Sequence, residues 1–310
     1  MSIGKLSARE QKSLYNMINT NIDAFSRSES DNGKFTGFAK PYKLPLKRGC
    51  IPQWQKQFVL PIDRQRYVAQ WIEKMYAGGI ISRCPEGLWQ SPIFVVPKKT
   101  PGEYRLDTEF RRVNKQLVHE WLPSKRTTDL LKEVQASGPV KFSSCDLQSA
   151  FFCIPYAKEN SEATAFYADC GDNTSSWGEN LTGRWKYDRL VMGCQTSSAV
   201  LHRAMEICFQ GLKGVIVYCD DLLIYSKTKE EHFEILKAVM QRLKRFGVKL
   251  AASKCKFFMD ELNFLGYHIS ASGFRPEKDK LKVIRDMEPP TSVKEIRQCL
   301  GFFNFYKFFF

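Results

Sequence analysis

Gly214-Val215-Ile216-Val217-Tyr218-Cys219-Asp220-Asp221-Leu222-Leu223-Ile224-Tyr225-Ser226 sets an apolar run on either side of a pair of carboxylates. Each flank is short, rich in β-branched and aromatic residues and nearly free of charge, which predicts two buried strands rather than a helix. The acids then fall at a hairpin tip. Adjacent Asp side chains repel one another and lose hydration there, where a purely structural hairpin is better served by Asn-Gly or Asp-Gly. The pair therefore points to a compensating cation. A third acid, Asp146, ends another strand-like segment, Val140-Lys141-Phe142-Ser143-Ser144-Cys145-Asp146-Leu147. Hard divalent cations take oxygen ligands, and two-metal phosphoryl transfer sets two ions about 3.5–4 Å apart between such carboxylates. Asp146, Asp220 and Asp221 are candidate metal ligands and catalytic residues, whereas an isolated Asp-Asp would read as a polar turn.

The rest of the composition fits a globular chain that meets a polyanion. Its 310 residues, 43% of them apolar, suffice for a sizeable core in more than one structural unit. Lys and Arg number 47 against 33 Asp and Glu, a net charge of +14, and nucleic acid is the simplest partner for that excess, a solvated basic surface being the alternative. No run of 18 apolar residues and no signal-peptide core occurs, so no membrane is expected and the chain reads as soluble and intracellular. None of the ten cysteines is spaced Cys-x-x-Cys, and Cys145, Cys208 and Cys219 lie in apolar segments, which predicts buried reduced thiols.

Along the chain, Ser7 with Glu10 forms a capping box for a first helix, and 26–33 is a polar linker. The Pro-, Lys- and Arg-containing stretch 36–60 reads as an extended arm. Between Asp63 and Ala77 apolar residues recur every four positions (Tyr67, Trp71, Met75; Val68, Ile72, Tyr76), an amphipathic helix that Gly78-Gly79 ends. Ile93-Phe94-Val95-Val96-Pro97, then Lys98-Lys99, then Gly102-Glu103-Tyr104-Arg105, reads as strand, basic turn, strand. A helix beginning at Thr196 or Ser197 and stopped by Gly211 is predicted to pack beneath the Asp220 hairpin, and Thr228 with Glu231 opens another. The polar stretch between Cys170 and Arg184 is a surface loop, and beyond Pro276 the pattern is helical, with Ser292 and Glu295 as a further capping box.

Tyr218-Cys219-Asp220-Asp221 resembles the Tyr-x-Asp-Asp box of reverse transcriptases, and Phe142 to Pro155 resembles the block that carries their first catalytic aspartate. Thr228-Lys229-Glu230-Glu231-His232 and Phe264-Leu265-Gly266-Tyr267-His268 are similar to segments of the gypsy class of long-terminal-repeat retrotransposons. The resemblance runs through residues 35 to 310 in the family's order. It departs at Glu109, where an Asp is usual, and at Arg189-Leu190-Val191-Met192-Gly193, where Arg-Leu-Pro-Phe-Gly is usual.

The resemblance implies an α+β right-hand polymerase fold with palm sheet, fingers and the beginning of a thumb. Residues 1–60 would be an arm and linker leading into the domain, 61–118 and 154–195 fingers, 119–153 and 196–270 palm, and 271–310 the start of a truncated thumb. The implied function is RNA-directed DNA polymerisation, a nucleotidyl transfer from deoxynucleoside triphosphates to a DNA or RNA primer on an RNA or DNA template. Two Mg²⁺ ions, or Mn²⁺, would sit on Asp146, Asp220 and Asp221. Lys98 or Lys99 with Arg105 would hold the triphosphate, joined by Ala150, Phe151 and Met192 and by the backbone amides after Asp146. Phe151 would exclude ribonucleotides while Phe152 points elsewhere. Tyr218, Cys219, Leu265, Gly266 and Tyr267 would seat the primer and template. The setting implied is a polyprotein fragment in the cytoplasm or a virus-like particle. The alternatives are a transposon relic that binds nucleic acid without extending primers, and an RNA-dependent RNA polymerase.

Overall fold

A computed structural model describes residues 1–98, 100, 102–120 and 126–306; Lys99 lies outside the described residues. The chain opens with a short strand β1 (Ser2–Ile3) and helix α1 (Ala8–Thr20), whose Ser7–Glu10 capping box is present in both directions. Helix α2 (Ile62–Ala77) ends at Gly78 as its periodicity predicts and buries Val68, Ala69 and Ile72. Then come β2 (Ile81–Arg83), the basic hairpin β3 (Ile93–Pro97) and β4 (Tyr104–Thr108), α3 (Arg111–Gln116) and α4 (Thr127–Ala136). Strand β5 (Lys141–Asp146) leads into a 3-10 turn (Ala150–Cys153), followed by α5 (Lys158–Ser161), β6 (Phe166–Ala168), β7 (Gly183–Tyr187) and α6 (Ser197–Phe209). The quoted stretch forms β8 (Val215–Tyr218) and β9 (Asp221–Ser226), and α7 (Lys229–Phe246) follows. Last are β10 (Lys256–Met259), β11 (Glu261–Phe264), β12 (Tyr267–Ser270), β13 (Gly273–Pro276), α8 (Lys278–Arg285) and α9 (Val293–Tyr306).

Among the described residues these strands form a five-stranded sheet of order β1-β10-β5-β9-β8, with smaller sheets β11-β12-β13 and β2-β7-β6 and the β3-β4 hairpin. Strand β5 lies at the centre of the large sheet because both its faces are covered: Phe142 and Cys145 are buried. Helix α6 packs on β8, as expected, and α7 packs on β9. A large apolar cluster spans α1, α2, α6, α7 and the 3-10 turn, and a smaller one joins Phe142 and Leu223 to Leu262, Phe264, Tyr267 and Ile269. The second cluster thus ties the β11-β12 hairpin to the sheet.

The first 60 residues are more than an arm. Leu14, Ala24, Phe25, Phe35 and Leu44 are buried in the main core, and Leu250 pairs on one side with Phe25 and on the other with Leu147. The cysteines are reduced and mostly buried, but Cys219 is exposed, because it occupies the hairpin tip and not the strand its apolar neighbours suggested. The loop at 170–184 lies against α2: Glu73 accepts from Ser176 N at 2.9 Å and Trp177 meets Tyr76 at 5.8 Å.

One backbone approach fixes how the N-terminal segment crosses the end of α7. Lys34 N donates to Gly247 O at 2.8 Å, and Gly247 ends the helix at φ +69°, a conformation that L side chains enter at a cost. A Cβ on Gly247 would stand 2.2 Å from Lys34 O. Gly247→Ala is expected to destabilise the fold by about 3 kcal/mol, backbone strain and the forced shift of Lys34 acting together, as read from urea denaturation midpoints.

Candidate active site

The quoted stretch folds as its composition predicts, with only Cys219 and Asp220 between the paired residues Tyr218 and Asp221. Cys219 has φ +57°, the positive value that a two-residue hairpin loop demands of its first member. On the other side of β9, Asp146 faces Asp221 directly across the β5–β9 ladder. The loop is held to β5 as well, since Leu147 N donates to Asp220 O at 3.1 Å. Three carboxylates therefore gather at one end of the central sheet.

Their mutual repulsion is visible in Asp221. Partial burial pushes its carboxyl up from the ordinary range, and the charges of Asp220 and Asp146 push it further, offset in part by Lys254. Lys254 Nζ lies 3.0 Å from Asp146 Oδ1, so the chain itself supplies one cation to this cluster. That lysine carried no signal in the sequence: it lies 108 residues from Asp146 and reaches it only because β10 runs beside β5. Among the described residues no three carboxylate, imidazole or thiol groups converge closely enough to enclose an ion.

Beyond Asp146 the chain turns sharply, with Ser149 at φ +43° before the 3-10 turn that carries Ala150, Phe151 and Phe152. Ala150 is buried. Of the amides expected to face a triphosphate, Leu147 N is spent on Asp220 O and Gln148 N on Lys249 O, because the turn is stitched to its neighbours before it leaves the sheet. Phe152, expected to point elsewhere, lines a cavity of about 430 Å³ together with Lys74, Lys98, Arg105, Asp107 and Met192, and Phe151 is not part of that lining. Two neighbours on a 3-10 turn face different directions, and the sequence does not say which faces the cavity.

The cavity gathers three expected residues from distant parts of the chain, Lys98 and Arg105 from the β3–β4 hairpin and Met192 from the segment before α6. Both hairpin cations are already paired: Lys98 Nζ with Glu103 Oε2 at 3.1 Å, and Arg105 Nη2 with Asp107 Oδ2 at 2.6 Å. Glu109 is explained locally, since it accepts from Arg111 N at 2.9 Å and pairs with the Arg111 guanidinium at the start of α3. At the β11–β12 turn, Leu265 and Gly266 take φ +51° and +82°, the two positive values of a type I′ loop, although Leu adopts the first only under strain. Tyr267 is buried and packs on Tyr306 of α9 at 5.7 Å. Tyr218 and Leu265 pack against the same small apolar cluster, so the two hairpin tips share a foundation. No helix among the described residues is long and apolar enough to cross a membrane.

The fold and motifs find counterparts among known proteins. Residues 96–269 match the family model described as reverse transcriptase (RNA-dependent DNA polymerase). The retrovirus-related Pol polyprotein from transposon 297 of Drosophila melanogaster is 29% identical over 296 residues, 93% of this chain and 26% of that protein. The Pol polyprotein from transposon opus of the same fly is 28% identical over 265 residues, 83% and 25% respectively. Tf2-3 polyprotein of Schizosaccharomyces pombe is 28% identical over 274 residues, 86% of this chain and 18% of that protein. The chain thus spans about a quarter or less of these relatives. Among solved structures, a foamy viral protease-reverse transcriptase in complex with double-stranded DNA superposes with a TM-score of 0.84 at 22% identity, covering 97% of this chain and 50% of that one. With the matched model covering more than half of the sequence and Asp146 paired with Asp221 across the β5–β9 ladder, the chain belongs to the reverse transcriptase family of nucleotidyltransferases.

Proposed function

We propose that this chain extends a primer with deoxynucleoside triphosphates along an RNA or DNA template, using Asp146, Asp220 and Asp221 as catalytic acids. The pairing of Asp146 with Asp221 across one ladder, with Asp220 at its tip, carries the reading. The donor set fits hard divalent cations, Mg²⁺ first and Mn²⁺ second: all oxygen, and with one carboxyl whose ionisation its neighbours disfavour. Cations held there would neutralise phosphate oxygens and favour the ionised primer 3′-hydroxyl.

In this reading Lys98 and Arg105 hold the triphosphate and neutralise charge as pyrophosphate leaves. Tyr218, Cys219 and the Leu265–Tyr267 turn seat the primer end, and Lys47, Arg111, Lys115 and His119, around a cavity of about 460 Å³, meet template phosphates. The central sheet is the palm, α2 with the β3–β4 hairpin the fingers, and α8 and α9 begin the thumb. Foamy viral reverse transcriptase has been captured with double-stranded DNA and with an RNA/DNA hybrid, which supports nucleic-acid partners here.

Primer extension on an RNA template with Mg²⁺, supplying deoxy- and ribonucleotides separately, tests the proposal. Extension with ribonucleotides alone would instead indicate an RNA polymerase. A second reading, binding without extension, is favoured by the ammonium already resting on Asp146. Template-primer binding with no extension at any Mg²⁺ concentration would select it. Phe151→Val is expected to lower the ratio of kcat/KM for deoxy- over ribonucleotides by about tenfold or more by removing a clash with the 2′-hydroxyl, and Phe152→Val to leave that ratio unchanged. Loss of selectivity at Phe152 alone would put the sugar against the cavity face.

A further inference from the structure

Among the described residues every cation lining the 430 Å³ cavity meets a carboxylate of the chain itself. Lys74 pairs with Glu29, Lys98 with Glu103 and Arg105 with Asp107. Glu29 and Glu103 are long side chains, 83% and 54% exposed, and pairs of that kind are screened by water and hold little. Asp107 is different, with a side chain only 27% exposed. It stands two residues from Arg105 on β4, so the alternation of the strand puts both on one face, and its short side chain has little freedom to give up. One oxygen, Asp107 Oδ2, accepts from both Nε and Nη2 of Arg105, at 3.0 and 2.6 Å. Those are donors that a phosphate oxygen would take in the same forked manner.

We propose that Asp107 is a positioning and selectivity residue of the nucleotide site, a carboxylate that occupies the Arg105 guanidinium until a polyphosphate displaces it. The inference rests on the reading of this cavity as the triphosphate site. Any anion that engages Arg105 must break the Asp107 pair and then sit beside the freed carboxylate. A triphosphate, with charge spread over three phosphoryl groups and reaching Lys98 as well, recovers that loss; inorganic phosphate and pyrophosphate recover less of it. Asp107 thus sets a threshold of ligand charge and holds the guanidinium extended into the cavity before the nucleotide arrives.

The test compares wild type, Asp107→Asn and Arg105→Ala, each with its thermal midpoint measured to establish that it folds. Equilibrium dialysis with a labelled deoxynucleoside triphosphate gives affinity independently of catalysis, and competition by inorganic phosphate and pyrophosphate gives selectivity. Asp107→Asn is expected to bind the nucleotide about fivefold tighter, the size of a half-exposed ion pair, and the two small anions tighter by a larger factor still. In primer extension, KM should fall with little change in kcat, whereas a purely structural Asp107 would give the opposite, weaker binding and a raised KM. Weaker or unchanged nucleotide binding by Asp107→Asn, together with weakened binding by Arg105→Ala, overturns the displacement proposal alone. Wild-type nucleotide binding by Arg105→Ala overturns the reading of the cavity on which it rests.

Discussion

Asp220→Asn is expected to lower nucleotide incorporation by about a thousandfold or more while template-primer affinity stays within about twofold. The substitution keeps the size and shape of the side chain and removes one negative charge. The hairpin should survive it, because what Asp220 gives the fold is its backbone carbonyl, which accepts from Leu147 N, and its side chain is exposed at the tip. What is lost is a hard oxygen donor at the place where the sheet gathers carboxylates. The loss has a second, non-catalytic signature: with Asp220 neutral, one of the charges that raises the Asp221 carboxyl is gone, and that carboxyl should titrate at lower pH than in wild type. Single-nucleotide incorporation and a gel-shift on the same preparation decide the outcome. Near-normal incorporation by Asp220→Asn would remove this acid from the chemistry. Asp146→Asn should be equally inactive, and it also gives up the Lys254 pair.

Below pH 6 the fold is expected to lose stability through one buried imidazole. His232 is fully buried, and its neighbours leave a single consistent arrangement of protons. Ser226 Oγ donates to Thr228 O at 2.8 Å, so it can only accept from His232 Nδ1, at 2.9 Å. The ring proton is therefore on Nδ1, and Nε2 accepts from Ser143 Oγ at 2.7 Å, while Ser143 Oγ accepts from Phe258 N at 3.0 Å. The chain of bonds joins β5, β9, β10 and the start of α7, and it secures Phe258 at φ +56°. A second ring proton would turn Nε2 into a donor and strand the Ser143 hydroxyl hydrogen. Burial, with Lys141 adding to it, accordingly pulls the His232 pKa down from 6.5 to about 4. Because the folded value is depressed, the unfolded chain binds the extra proton first, and stability present above pH 6.5 is lost as pH falls toward 4. The loss should be about 2 kcal/mol between roughly pH 7 and pH 5, and about 3 kcal/mol by pH 4. His232→Gln should be less stable at neutral pH by about 2 kcal/mol, with Ser143 and Ser226 imperfectly paired, and should show a flatter pH dependence over this window. Equal slopes of stability against pH in the two proteins would rule out His232 as the titrating group.

Local patterns were legible wherever one element decides its own form. The strand pair around Asp220, the four-residue periodicity of α2, the capping boxes at Ser7 and Ser292 and the stop at Gly78 follow from short-range sterics and hydrogen bonding, and each appears where the residues predict it. The Thr228 cap is met in part: its hydroxyl accepts from Glu231 N, but Glu231 reaches back to Lys227 N instead of the capping residue. Asp146 was legible too, as an acid at the end of a strand-like run.

Partners across long sequence separations were not legible. Lys254 on Asp146, Ser143 on His232, Phe25 beside Leu250 and Phe152 in place of Phe151 on the cavity wall depend on which strands become neighbours and how a turn is wound. The sequence by itself determined the elements, the three acids and the family, because periodicity and motif spacing act within a few residues. The tertiary structure alone decided which distant cation meets which carboxylate, as in the pairing of Lys254 with Asp146, because Coulombic and hydrogen-bond partners are chosen by distances of about 3 Å in space, and only a folded sheet brings residues 108 positions apart to that range.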